Sequence, residues 1–232
     1  DSVRDLVDEL LHAKVKAQLF CGDHAPRLGR LIILERIGAG AMGDVFAAHD
    51  PRLDRKVAVK IVRPTAAVPA DRVLAEARAL AKLAHPNVVA IYDAEYIDVF
   101  DALIASTRDG VASFDRAIAI VMELAPGISL RTWLATERDW RDIARVLREA
   151  ASGLAAAHAA GLVHRDIKPD NILVGDDRTR VVDFGLAFTS YASETVGAED
   201  EARSGAGTPT YMAPEVLGGA PATPAADQFS FG

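Results

Sequence analysis

Five side chains in this sequence have the chemistry to handle a phosphorylated ligand: Lys60, Asp166, Lys168, Asn171 and Asp183. Lys60 lies in Val57-Ala58-Val59-Lys60-Ile61-Val62, an apolar stretch where an ammonium is costly unless a partner meets it. Two readings of it stand side by side: an edge-strand residue facing water, or a point charge for phosphate oxygens. The run His164-Arg165-Asp166-Ile167-Lys168-Pro169-Asp170-Asn171, followed by Asp183-Phe184-Gly185, offers a carboxylate, an ammonium, an amide and a second carboxylate. Such a set can orient a hydroxyl, offset phosphate charge and offer hard oxygens to Mg²⁺. Upstream, Gly38-Ala39-Gly40-Ala41-Met42-Gly43 supplies backbone without side chains. Glycine lets N–H groups approach phosphate oxygens and permits φ > 0. The same spacing occurs in dinucleotide folds, where it opens a helix. Here residues 44–48 read as a strand, so a phosphate-covering loop and an ordinary hairpin turn compete evenly.

Taken in order, these segments resemble the signature set of protein kinases, from about Leu31 to Gly232. Lys168-Pro169, with Thr208 in residues 207–215, resembles the serine/threonine branch, and 50–58 with Met42-Gly43 resembles bacterial kinases of eukaryotic (Hanks) type. The resemblance implies ATP-dependent phosphorylation of Ser or Thr hydroxyls on proteins, with autophosphorylation through self-association. It implies that Asp166 accepts the hydroxyl proton and Lys168 stabilises the γ-phosphate. Lys60 would meet the α and β phosphates, positioned by Glu76 on the following helix. Asn171 and Asp183 would ligate Mg²⁺, or Mn²⁺ in its place. ATP would be enclosed by Ile37, Gly38, Ala39, Gly40, Ala41, Met42 and Gly43. Val45, Ala58 and Leu173 would sandwich adenine, beside the link Met122-Glu123-Leu124-Ala125, where the Glu123 carbonyl and the Ala125 amide bind it. Thr208 would bridge Asp166 and Lys168, and Asp227 would tie down the catalytic-loop backbone. His164 reads as structural, packed under Phe184, with Leu80 on the same face. A competing reading is a truncated or pseudokinase-like module that binds nucleotide without turnover. A small-molecule phosphotransferase fits less well, because such enzymes generally lack the 207–215 segment.

Arg165 beside Asp166 suggests control by an anion, supplied by phosphate on Thr189, Ser190, Ser193, Thr195 or Ser204. The acidic run 199–201 reads first as a solvated loop.

The elements that must position these residues read as α+β in two lobes. Residues 1–30 form a helical extension and linker, with an apolar stripe along 3–19. Residues 31–123 form a strand-rich lobe: strands at 31–37, 44–48, 56–62, 88–92 and 117–124, and a helix over 70–83 ended by Pro86. Residues 93–116 read as a long insertion with a hairpin near Asp109-Gly110. Residues 124–232 form a helix-rich lobe with a long helix from about 140 to 160. The family continues through further helices beyond the position of Gly232. The resemblance therefore implies an incomplete second lobe, with exposed apolar surface and marginal stability.

Bulk properties agree with this reading. The 232 residues are 50% hydrophobic, enough for a sizeable core. A net charge of −7 argues against nucleic-acid or polybasic membrane contacts. No apolar run is long enough to span a bilayer, and the lone Cys21 fits a reducing, cytoplasmic setting.

Overall fold

The computed structural model describes residues 27–40, 43–62, 64, 69–98, 116–184 and 209–232. Six strands form one antiparallel sheet: β1 (Arg27–Leu28), β2 (Leu31–Gly40), β3 (Gly43–Asp50), β4 (Arg55–Val62), β5 (Ile91–Asp98) and β6 (Arg116–Glu123). Their spatial order is β1-β2-β3-β4-β6-β5. Strand β4 is therefore interior, and its last six residues are all buried. A near-continuous apolar run is what a strand covered on both faces requires.

Alternation divides the core. On one face Phe46, Val57, Val59 and Val121 cluster with Leu28 and Leu31. On the other, Ala58, Val62, Ile118, Ile120 and Met122 meet helix α1 (Ala70–Leu80) through Val73, Leu74, Ala77 and Leu80. The spacing of those four residues gives α1 one apolar stripe. Glu76 lies between Val73 and Leu80 on the chain and is drawn toward the interior, its side chain 14% exposed.

The second part begins with β7 (Ile128–Ser129) and the short α2 (Leu130–Trp133), capped by Ser129, whose hydroxyl accepts from the Thr132 amide at 3.2 Å. The long α3 (Trp140–Ala159) starts at Asp139, whose carboxylate accepts from the Arg141 amide at 2.7 Å. It buries Val146, Ala150, Gly153, Leu154 and Ala157. A small sheet, β7-β8-β9, follows, with β8 (Ile172–Val174) and β9 (Thr179–Val181). Helices α4 (Pro214–Leu217) and α5 (Pro224–Phe231) complete the described elements. Leu134, Leu217 and Phe229 are exposed. None of the described helices is long and apolar enough to cross a membrane.

Several boundaries differ from the sequence expectation: residues 27–28, expected in a linker, pair with β2 as a sheet strand, and β2 runs to Gly40 instead of ending at Ile37. Strand β5 spans 91–98 instead of ending at 92, so the connection to β6 is shorter than residues 93–116 suggested. The polar Asp93 and Glu95 hid the strand. They lie on the sheet's edge strand and pair with Arg30 at 2.9 and 3.2 Å, while Ile97 faces the core. Helix α1 stops at Leu80 instead of reaching Leu83. The expectations for residues 1–26, for the 109–110 hairpin, for Ala41, Met42, Gly185 and Thr208, and for the candidate phosphosites lie outside the described residues.

Candidate active site

Lys60 is 2% exposed, on the sheet face that looks toward the second sheet. It is register partner to Val45 on one side and Ile120 on the other. Interior placement removes the edge-strand reading: the ammonium has no route to water along a strand edge. Its Nζ lies 3.1 Å from Asp183 Oδ1, a contact that spans the two sheets. Asp183 has φ +58, a backbone conformation unusual for a non-glycine residue. The side chain that follows it, Phe184, is buried and packs on the His164 ring at 4.6 Å between centroids. Leu80 and Phe184 belong to one core cluster and border a common cavity of ≈ 10 Å³ with Lys60 and Asp183.

The catalytic-loop residues converge on Asp166. Its Oδ2 accepts from Lys168 Nζ at 2.7 Å and from Asn171 Nδ2 at 2.9 Å. The same Asn171 nitrogen donates to the Asp166 carbonyl at 2.8 Å. Asn171 is thus fixed through its nitrogen, which leaves its oxygen for a cation. The Val182 amide donates to the Asn171 carbonyl at 3.0 Å, bringing the Asp183 segment alongside. The oxygens of Asn171 and Asp183 are hard donors of the kind Mg²⁺ takes, and the buried Lys60 ammonium is a point charge suited to phosphate.

Beneath the loop, Asp227 is 1% exposed and accepts three bonds: from the His164 amide at 2.7 Å, the Arg165 amide at 2.8 Å and His158 Nε2 at 2.8 Å. These hold Arg165 at φ +69. His164 donates from Nε2 to the Val182 carbonyl at 2.9 Å. Full burial pushes its imidazole below the ordinary value, against the opposing pull of the Val182 carbonyl and of Asp227, Asp166 and Asp183. A neutral buried ring with a fixed partner is a packing element, as the sequence reading expected.

One expected partnership is absent. Glu76 does not meet Lys60; its Oε1 accepts from Arg165 Nη1 at 2.7 Å. Burial raises the Glu76 carboxyl above its ordinary value, although Arg165 and Arg72 pull it down. Arg165, expected to await a phosphate, is already engaged. Sequence could not settle this, because spacing along the chain does not say which cation packing brings to Glu76.

The residues expected to meet a nucleotide lie on several elements. Ala58 and Met122 are register partners and buried; Val45 packs against their cluster, and Leu173 lies on β8 opposite Arg180. Ile37 is 48% exposed toward the end of β2. Gly38, Ala39 and Gly40 pair with Val45, Asp44 and Gly43. Gly43 has φ +118, and a Cβ there would lie 2.1 Å from the Ile61 carbonyl oxygen, so glycine is obligatory at this position. Glu123 ends β6, and Ala125 follows two residues on. Motif reading passed over Arg180, a charge embedded in Thr179-Arg180-Val181-Val182 and 3% exposed. The signal was the one that singled out Lys60, an ionic residue within an apolar strand.

A strand-rich sheet and a helical part, with Lys60 of one paired to Asp183 of the other, form a two-lobed architecture. Residues 31–232 match the family described as "Protein kinase domain", and the chain belongs to that family. It is 34% identical over 213 residues to the probable serine/threonine-protein kinase pknA2 of Bifidobacterium longum, covering 88% of this chain and 25% of the relative. It is 36% identical over 211 residues to the serine/threonine-protein kinase PknL of Mycobacterium tuberculosis, covering 88% and 47%. Against the serine/threonine-protein kinase PrkC of Bacillus subtilis the identity is 33% over 210 residues, covering 88% and 29%. The chain thus spans less than half the length of these relatives. The crystal structure of the Mycobacterium tuberculosis PknI kinase domain shares the fold with a TM-score of 0.63 at 22% identity, covering 90% of this chain and 74% of that one.

Proposed function

We propose that this chain transfers the γ-phosphoryl group of ATP to serine or threonine hydroxyls of proteins, itself included. The observation that carries this reading is the meeting of Lys60, buried in β4, with Asp183, beside the Asp166–Lys168–Asn171 cluster. Phosphoryl transfer asks mainly for positioning and charge stabilisation. Asp166 Oδ2 accepts the proton of the incoming hydroxyl and aims its oxygen. Lys168, 2.7 Å from that carboxylate, lies where charge accumulates on the transferred group. Lys60 holds the α and β phosphates, and the β2–β3 loop covers them with backbone N–H groups. Asn171 and Asp183 would hold Mg²⁺ or Mn²⁺, which supplies neutralisation of phosphate charge when bound. Val45, Ala58 and Leu173 exclude water from the adenine, against the backbone of Glu123 and Ala125. Thr208 completes the link between Asp166 and Lys168. In this reading residues 31–123 and 124–232 act as the two lobes. The setting is cytoplasmic and the partners are Ser/Thr-bearing proteins, including a second copy.

The test is incorporation of labelled γ-phosphate into the chain and into a basic carrier protein, against Asp166→Asn and Lys60→Met. Incorporation by the unaltered chain alone supports the proposal; equal signals from all three overturn it. The Glu76–Arg165 pairing favours a second reading, nucleotide binding without turnover, because Lys60 then lacks its expected carboxylate. Saturable ATP binding with no incorporation would select that reading.

A further inference from the structure

Arg180 belongs to none of the motifs, yet it is among the most completely buried charges described. Its Nε lies 3.0 Å from Glu123 Oε1, an ion-pair contact without hydrogen-bond alignment, and its Nη1 and Nη2 donate to Asp177 at 3.1 and 2.9 Å. Glu123 ends β6, where the chain passes from one sheet to the other; Arg180 lies on β9, three residues before Asp183. The opposing residue in the small sheet is Leu173, on the proposed adenine floor. One guanidinium thus grips the link, stands across from the floor, and sits on the strand that delivers the metal-ligand aspartate.

A second connection runs in parallel. The Glu123 amide donates to the Ala90 carbonyl at 2.8 Å, the Val89 amide to the Val181 carbonyl at 3.0 Å, and the Val181 amide to the Asn87 carbonyl at 2.8 Å. Residues 87–90 therefore strap the link to β9 through backbone, while Arg180–Glu123 does so through side chains. Burying an ion pair of this kind is a weak source of stability, because desolvation offsets most of the attraction. Its effect lies instead in the orientation that it imposes. The carboxylate of Glu123 cannot rotate without leaving Arg180, and its main chain carries the proposed adenine contacts.

We propose that Arg180 is a positioning residue for adenine-nucleotide binding: its ion pair with Glu123 fixes the link backbone relative to the β8–β9 floor. This rests on the nucleotide site of the proposed function. The pair acts on the main chain proposed to meet adenine, so its loss weakens nucleotide affinity.

The experiment uses the full chain, with displacement of a fluorescent N-methylanthraniloyl-ADP by MgATP as the probe, and compares Arg180→Met, Arg180→Lys, Glu123→Gln and the double variant Arg180→Met/Glu123→Gln. Kd for MgATP is expected to rise about tenfold in Arg180→Met and in Glu123→Gln, with the double variant no worse than either single one. Arg180→Lys should recover most of the affinity. A merely structural role would lower the fraction of binding-competent protein and leave Kd unchanged. Kd within twofold of the unaltered chain in Arg180→Met, or singly additive losses in the double variant, would overturn the proposal. Should Arg180→Met fail to fold, the isosteric Glu123→Gln decides on the same criterion. Nucleotide binding without phosphate transfer by the unaltered chain would defeat the proposed kinase activity and leave Arg180 to be judged by Kd. No nucleotide binding at all would overturn both.

Discussion

Glu76 Oε1 lies 2.7 Å from Arg165 Nη1, joining helix α1 to the catalytic loop, while Lys60 is held by Asp183 at 3.1 Å. With Lys168 on Asp166, each of three cations around the site meets a carboxylate. The Glu76 and Arg165 side chains are only 14% and 23% exposed, so their coupling is screened less than that of a surface pair. A double-mutant cycle on Glu76→Gln and Arg165→Met, read by chemical denaturation, should give a coupling of about 1–2 kcal/mol. The cycle between Glu76→Gln and Lys60→Met should be additive to within about 0.5 kcal/mol. A large Glu76–Lys60 coupling would show the expected pairing to dominate in solution.

Lys60→Met and Asp166→Asn should separate folding from chemistry. Lys60 is buried, and methionine fills similar volume without charge, so the melting temperature should stay within about 5 °C. Initial rates of labelled phosphate transfer should fall by about 10²–10⁴ in each variant. A variant that kept more than a tenth of the rate would remove that residue from the mechanism.

Gly153 lies on the buried face of α3 where the chain at Asn87 crosses it. A Cβ at that position would sit 2.4 Å from the Asn87 carbonyl oxygen, which itself accepts from Val181. Gly153→Ala should cost about 1–3 kcal/mol in a denaturant titration. Hydrogen exchange at the Val181 and Val89 amides should accelerate with it, since both depend on the 87–90 strap.

Acid should weaken the fold through Glu149. Burial alone would raise its carboxyl, but the Thr179 amide at 2.7 Å and Arg145 at 3.3 Å override that and hold it below the ordinary value. A depressed folded value means that the stabilisation is present above the ordinary carboxylate value and disappears as pH falls through the folded one. Glu76, held above its ordinary value, acts in the opposite sense and favours the fold more at low pH. Glu149→Gln should lower the melting temperature by about 2–5 °C at neutral pH and flatten its decline below about pH 5. An unchanged acid limb would assign the loss to other carboxylates.

Local pattern was enough to point to the family and to most of the elements. The set Lys60, Asp166, Lys168, Asn171 and Asp183 was legible because an ionic residue in an apolar strand, and a dense polar run ahead of Asp-Phe-Gly, carry their meaning in adjacent residues. Helix α3 and strands β3, β4 and β6 followed from periodicity within about two residues. Partners were settled only by packing. The interior position of β4 buried Lys60, the Arg30 contacts kept the polar β5 in the sheet, and the approach of the lobes gave Glu76 to Arg165 and Arg180 to Glu123. Periodicity reports which face of an element is apolar. It carries no information on which of two distant cations reaches one carboxylate first, because that depends on the rigid-body placement of packed layers.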